Sequence, residues 1–160
     1  SCASAHWIER MVSGRPHGTL PALVTASDAT IAAVGWPDIE QALAAHPRIG
    51  ARPHDRAVPH DRGAPPDGAA GGEREAAWSQ QEQAGTRDAA EDLRAGLRTG
   101  NAAYEERFGH VFLICATGMS AASMLAALQA RLGHDPARER EVVRDELTKI
   151  VRLRLGKAFA

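Results

Sequence analysis

Apolar residues in this chain recur at intervals of three and four positions, a spacing that predicts amphipathic α-helices. In residues 4–13 the same spacing places four apolar side chains on one side of a helix: Trp7, Ile8, Met11 and Val12. The composition agrees with helices, because alanine is abundant and aromatic residues make up only 4% of the chain. Alanine is the best helix former, and β-sheets favour aromatic and β-branched residues. We therefore predict an all-α fold.

Stop signals divide the rest of the chain into further helices. Pro37 suits the first turn of a helix that Pro47 ends, since the residue before a proline is disfavoured in the α region. A short extended or buried segment is expected at 111–116. The chain has 160 residues, the usual length of one domain, so we predict a single-domain multi-helix bundle over 1–160. The remaining helices are expected at 21–34, from Ser79 to about Thr99, at 101–108, after Ser120, and from Pro136 to near Lys157.

Residues 50–72 interrupt the helical pattern with proline, glycine and charged residues. The letters Pro-His-Asp-Arg occur twice in this stretch, six residues apart, and almost nothing in it is suited to burial. We predict one long loop at about 50–72, since such composition disfavours packed structure. His54 and His60 raise the possibility of a metal site, but their spacing matches no common zinc pattern, so we predict no bound metal.

The charge balance gives no reason to expect nucleic acid or a membrane as a partner. The chain carries 19 basic and 20 acidic residues, for a formal net charge of −1. Its longest apolar run, 111–116, is far too short to span a bilayer. The two cysteines, Cys2 and Cys115, form no disulfide framework, and the last residues do not read Ser-Lys-Leu. We therefore expect a cytoplasmic protein.

Arg154 stands out because it extends an apolar stripe. At 100° per residue it falls on the same side of the last predicted helix as Val143, Leu147 and Ile150. One interpretation is that the helix ends there and the side chain reaches out to solvent. The other is a buried arginine aimed at an anionic or carbonyl-rich ligand, where its fork of donors makes paired hydrogen bonds.

Two further sites in the sequence also allow more than one interpretation. Ser79 and Glu82 have the spacing of a capping box, which by itself explains both residues. A helix N-terminus also suits a negatively charged ligand, and Ser79, Glu82 and Gln83 offer a hydroxyl, a carboxylate and an amide there. His46, just before Pro47, could be a structural residue, a metal ligand or an acid–base group, and the pattern alone favours a structural residue.

Several stretches together resemble the 2-oxo-4-hydroxy-4-carboxy-5-ureidoimidazoline (OHCU) decarboxylases, enzymes of the route from urate to (S)-allantoin. The likeness runs through nearly the whole chain in the same order, and its most specific elements are His-Pro and Ser-x-x-Glu-Gln. The resembling stretches are His-Pro-Arg-Ile-Gly at 46–50, Trp-Ser-Gln-Gln-Glu-Gln-Ala-Gly at 78–85, Asn-Ala-Ala-Tyr-Glu-Glu-Arg-Phe-Gly at 101–109, Phe-Leu-Ile-Cys-Ala at 112–116, and Lys-Ile-Val-Arg-Leu-Arg-Leu at 149–155.

The resemblance implies an all-helical enzyme, commonly a homodimer, that needs no metal or organic cofactor. Its catalytic pair corresponds to His46 and Glu82. Three departures from the family accompany these matches: a longer loop at 50–72, a shortened first helix, and Thr117-Gly118-Met119 where relatives often carry a basic residue. The substrate contacts of the family correspond to Pro47, Ser79, Gln83, the backbone around Ile114, and Arg154.

The implied small-molecule substrate carries a carboxylate and a hydroxyl on the same ring carbon. Loss of CO2 leaves an electron pair that the adjacent ring C=N accepts, so no cofactor is required. We expect His46 to polarise the hydroxyl or help expel CO2, with Glu82 orienting the imidazole and raising its pKa. Two alternatives remain open: an all-α dimerisation or binding module without catalysis, and a decarboxylase or hydrolase of a related small ureide.

Overall fold

The computed structural model describes residues 2–49 and 73–159, and it describes side chains for 2–49 and 90–159. No β-strand occurs in these ranges, so the prediction of an all-α fold is confirmed. The predicted loop at 50–72 lies outside the described residues. The helices of the described ranges are α1 (Ala5–Ser13), α2 (Leu20–Ala33), α3 (Trp36–Ala44), α4 (Glu73–Phe108), α5 (Ala121–Arg131) and α6 (Pro136–Ala158).

Four of these helices begin at a side chain that accepts a hydrogen bond from the first turn. These N-cap residues are Ser4, Thr19, Ser120 and Asp135. Each oxygen pairs with a backbone N–H that has no partner within the helix, which stabilises the helix start by about 1 kcal/mol. Asp135 precedes Pro136, so the start predicted for the last helix is confirmed.

Helix α4 differs from the prediction because it is continuous from Glu73 to Phe108. Its first residue precedes Ser79 by six positions, so the prediction that Ser79 begins a helix is wrong. The sequence Glu-Arg-Glu-Ala-Ala at 73–77 explains the difference, since these residues are strong helix formers and extend the helix past the capping signal.

The predicted interruption of this helix after Thr99 is also wrong, and Gly100 shows why. A Cβ atom on Gly100 would lie only 2.6 Å from Leu128 Cδ2, and one on Gly96 only 2.9 Å from Leu125 Cδ2. The two glycines stand one turn apart and let α5 approach closely. They therefore serve helix packing, and the packing compensates for the low helix propensity of glycine.

The buried row of α6 does not follow the predicted stripe. Val143 and Leu147 are buried as expected, but the row continues through Val151 and Leu155, while Arg154 is exposed. A row with four-residue spacing moves about 40° around the helix at each step. Of the two interpretations of Arg154, the buried arginine is therefore wrong, because the buried face of α6 winds away from this position.

The described side chains form two apolar clusters, and residues 111–116 run between them. Helices α1, α2, α3 and α6 enclose the first cluster, and α4 and α5 enclose the second. Leu113 packs in the first cluster, whereas Phe112 and Ile114 pack in the second. Alternation of neighbouring side chains between two sides is the geometry of an extended chain, so the predicted extended segment is confirmed.

None of the helices in the described ranges is both long enough and apolar enough to cross a membrane.

Candidate active site

His46 lies two residues beyond the end of α3, where the chain bends before Pro47. Its Nδ1 atom is 2.8 Å from the carbonyl oxygen of Ala42. A carbonyl can only accept, so the neutral ring carries its hydrogen on Nδ1 and leaves a lone pair on Nε2. Nε2 is buried and has no hydrogen-bond partner among the residues that the structure describes. A buried polar atom left in this way is ready to bind a ligand donor.

The surroundings of His46 keep its imidazole neutral. Burial lowers its pKa below the ordinary value of 6.5, the hydrogen bond to Ala42 opposes that change, and the charge of Arg154 lowers the pKa further. The direction is opposite to the rise expected from a neighbouring carboxylate. Because desolvation disfavours the charged form, this ring is neutral at neutral pH, with the lone pair of Nε2 unprotonated.

Arg154 combines features of the two interpretations open to it. The side chain is exposed, yet its charge acts on the half-buried ring of His46. Helix α6 and the end of α3 therefore place the two residues that lie farthest apart in the predicted site within electrostatic range of each other. An exposed guanidinium within electrostatic range of a neutral imidazole can bind an anion while the imidazole takes up a proton.

The chain after His46 is tied to α4. Pro47 is exposed, and the next residue, Arg48, binds the Glu105 carboxylate through Nε and Nη2, at 2.6 Å to each oxygen. The carbonyl oxygen of Ile49 accepts a hydrogen bond from Asn101 Nδ2 at 2.8 Å. These contacts hold the His-Pro turn against the C-terminal half of α4, which fixes the position of the imidazole.

Ile114 is buried in the second apolar cluster, the cluster against which Ile49 packs. The backbone groups on either side of it are held by charged side chains. Arg131 Nη1 donates to the carbonyl oxygen of Leu113 at 2.7 Å, and the N–H of Cys115 donates to Glu146 Oε2 at 2.7 Å. The backbone around Ile114, predicted as a substrate contact, is thus rigidly held near the segment that carries His46.

Ser79, Glu82 and Gln83 lie within α4, and their backbone positions are about one turn apart. Their side chains lie outside the described residues, so the pairing of His46 with Glu82 stays a prediction. Because α4 begins at Glu73, these residues do not stand at a free helix N-terminus, and the interpretation that relied on free N–H groups there is wrong.

A family model described as OHCU decarboxylase matches residues 1–156. The chain belongs to the OHCU decarboxylase family. It is 31% identical over 159 residues to the uric acid degradation bifunctional protein TTL of Arabidopsis thaliana, covering 99% of this chain and 45% of that protein. It is 47% identical over 55 residues to the 2-oxo-4-hydroxy-4-carboxy-5-ureidoimidazoline decarboxylase of Amia calva, covering 34% of this chain and 31% of that protein. The chain thus spans less than half the length of these curated relatives.

Two solved structures share the fold of this OHCU decarboxylase family member. One is a crystal structure of OHCU decarboxylase in the presence of (S)-allantoin, with a TM-score of 0.71, 26% identity, and coverage of 99% of this chain and 93% of that one. The other is a crystal structure of (S)-allantoin synthase, with a TM-score of 0.65, 19% identity, and coverage of 98% and 45%. The second likeness concerns the fold alone.

A group of buried polar residues escaped the sequence analysis. Glu139 on α6 is completely buried and accepts hydrogen bonds from Tyr104 Oη and from Arg131 Nε at 2.8 Å, while its other oxygen lies 2.8 Å from His134 Nδ1. One signal could have found it, because Glu139 precedes Val143 by four positions and so begins the buried row of α6.

The described residues of this family member contain no group of three or more His, Cys, Asp or Glu side chains arranged to hold a metal ion. His54 and His60 lie outside those residues. The predicted absence of a metal therefore stays a prediction.

Proposed function

We propose that this chain catalyses the cofactor-independent decarboxylation of OHCU to (S)-allantoin in urate degradation. The observation that supports this most strongly is the buried, unpartnered Nε2 of His46 within the electrostatic reach of Arg154. A neutral imidazole and a guanidinium match the two groups on the reacting carbon of OHCU, which are a hydroxyl and a carboxylate. Membership of the OHCU decarboxylase family supports the same reaction.

In the proposed reaction the bond between the ring carbon and the carboxylate breaks and CO2 leaves. The electron pair of that bond moves into the ring and is accepted by the adjacent C=N, so the substrate supplies its own electron sink. His46 Nε2 takes up the proton of the hydroxyl, which becomes the carbonyl of the product. The nitrogen of the former C=N takes up one proton, and another proton is delivered to one face of the neighbouring ring carbon, which sets the (S) configuration.

The remaining site residues bind and orient the ring in this proposal. Arg154 pairs with the anionic groups, and the backbone around Ile114 binds the polar edge of the ring. Ser79 and Gln83 add hydrogen bonds from α4, and Pro47 packs against the substrate. Glu82 acts with His46 in handling protons. A homodimer and a cytoplasmic location are the further properties that we propose.

The direct test generates OHCU from 5-hydroxyisourate with its hydrolase and follows optically active allantoin by circular dichroism. We expect the chain to accelerate the appearance of (S)-allantoin, and a chelator to leave that rate unchanged. Turnover of a related ureide but not of OHCU would show that the substrate is wrong. Absence of turnover with either compound would favour a binding module.

Glu82→Gln tests the proposed catalytic pair. The substitution keeps the size of the side chain and removes its charge. We expect a fall in kcat of about 10²-fold or more, the range for loss of a positioned acid–base group. Glu91→Gln, an exposed position on the same helix, is the matched control and should leave kcat unchanged. Equal kcat values for the two variants would show that Glu82 has no catalytic role.

A further inference from the structure

Two charged side chains hold the extended segment 111–116 along one edge, at Leu113 and Cys115. The carbonyl oxygen of Leu113 accepts from Arg131, and the N–H of Cys115 donates to Glu146, each at 2.7 Å. In an extended chain, residues two apart direct their backbone groups to the same edge. Both hydrogen bonds therefore occupy a single edge of this segment, and both partners are charged side chains, which form stronger hydrogen bonds than neutral ones.

The opposite edge carries the N–H and carbonyl of Ile114. Neither group is hydrogen-bonded to a residue that the structure describes. Buried polar backbone groups rarely remain unpaired, so an extended segment held in this way offers a donor and an acceptor to a ligand. A planar ring that carries neighbouring N–H and C=O groups, as a ureidoimidazoline does, has the complementary donor and acceptor.

Glu146 has the features of a residue kept for positioning. Its side chain is only 13% exposed, and its second oxygen, Oε1, is 2.6 Å from Lys149 Nζ. Burial of a carboxylate is costly, and a nearby ammonium offsets that cost. The ammonium also neutralises the charge that would otherwise repel an anionic substrate. Glu146 can therefore hold the Cys115 N–H without weakening anion binding nearby.

From these contacts we infer that Glu146 is a positioning residue for substrate binding. By fixing the Cys115 N–H, it turns the other edge of the segment, with the polar groups of Ile114, towards the substrate. The inference rests on the proposed function. Loss of this hydrogen bond lets the segment rotate, so the substrate loses a preformed donor and acceptor while the proton-transfer groups stay in place. The effect therefore falls on KM rather than on kcat.

The test compares Glu146→Ala with Glu146→Gln in the full chain, with OHCU as substrate. Glu146→Ala should raise KM about tenfold with kcat within about twofold, as expected for loss of a charge-assisted hydrogen bond used in binding. Glu146→Gln keeps an oxygen acceptor for the Cys115 N–H, so we expect KM within about threefold of the parent value. Glu141→Ala, an exposed position on α6, is the control and should change neither constant.

Hydrogen exchange of the Cys115 amide gives a readout that does not depend on activity. Its protection should fall in Glu146→Ala and persist in Glu146→Gln. An unchanged KM in Glu146→Ala, or equal losses in both variants, overturns the positioning role. If the parent chain itself shows no OHCU turnover, both the proposed function and this inference fail. Turnover by the parent chain therefore distinguishes a failure of the inference alone from a failure of the proposed function.

Discussion

Two buried polar groups of this molecule differ in how completely they are paired. Both oxygens of Glu139 have partners, supplied by Arg131, Tyr104 and His134. His46 has one ring nitrogen bonded to Ala42 and the other, also buried, without a partner among the described residues. A fully satisfied polar network specifies packing, whereas an unsatisfied atom costs stability and is retained where it serves a ligand. The comparison therefore distinguishes a structural centre at Glu139, which stabilises the fold, from a chemical centre at His46, which serves the reaction.

His46→Ala is the test of this comparison with the largest expected effect. If Nε2 serves chemistry, its removal should lower kcat for OHCU by about 10²- to 10⁴-fold, the usual contribution of a general acid–base group. The folded state loses only the bond to the Ala42 carbonyl, so thermal unfolding should change little. His6→Ala, at an exposed histidine, is the control. A kcat within threefold of the parent value would make His46 a structural residue after all.

Glu139→Ala should give the opposite result. The substitution leaves Arg131 buried next to two partners that carry no charge, so we expect a loss of about 3–5 kcal/mol in the free energy of unfolding, measured with urea. Burial raises the pKa of Glu139, but hydrogen bonds from Arg131 and Tyr104 outweigh it and hold the pKa below its usual value. Glu139 is therefore charged in the folded protein.

The control for this loss is Glu141→Ala, which removes an exposed carboxylate from the same helix and should cost under about 0.5 kcal/mol. Similar losses for the two variants would mean that the buried network does not stabilise the fold.

The pH dependence should also distinguish His46 from an ordinary histidine. Its pKa is lowered, chiefly by burial, so the neutral form persists at pH values where a free imidazole is protonated. The acid limb of kcat/KM should therefore lie below pH 6.5. Because the folded protein binds fewer protons than the unfolded chain in this range, the free energy of unfolding should fall as the pH drops below 6.5. An acid limb at or above pH 6.5 would contradict this assignment.

The sequence was informative where local spacing decides the structure. The periodicity of apolar residues located helices such as α1 and α6, and the break before Pro47 located the turn that carries His46. Motifs shared with a known family placed His46 and Arg154 in one predicted site, which periodicity alone could not do, because His46 follows α3 and Arg154 lies 108 positions later on α6.

The incorrect predictions concern positions where contacts between residues distant in the sequence decide the structure. Ser79 carries a true capping signal, but the residues before it favour a helix more strongly and α4 begins at Glu73. Arg154 lies on the stripe begun by Val143, yet the buried face of α6 winds away with the helices packed against it. Glu139 was not singled out in the sequence because its partners, Arg131 and Tyr104, come from α5 and α4.

Asn101 gives the test with the smallest expected effect. Its side chain has one paired polar atom, as in the Glu139 network, and one unpaired polar atom, as in His46. Its Nδ2 donates to the Ile49 carbonyl, whereas its Oδ1 is buried without a partner in the described parts of the chain. Asn101→Ala removes a useful bond together with an unpaired atom, so we expect a loss of only about 0.5–1.5 kcal/mol in the free energy of unfolding. Ile49 stands three residues after His46, so KM should rise by about two- to threefold, with Glu106→Ala as the exposed control on α4. A loss of kcat comparable to that of His46→Ala would instead make Oδ1 a second ligand-binding atom. The amide group of Asn101 would then combine a structural Nδ2 with an Oδ1 that takes part in the reaction.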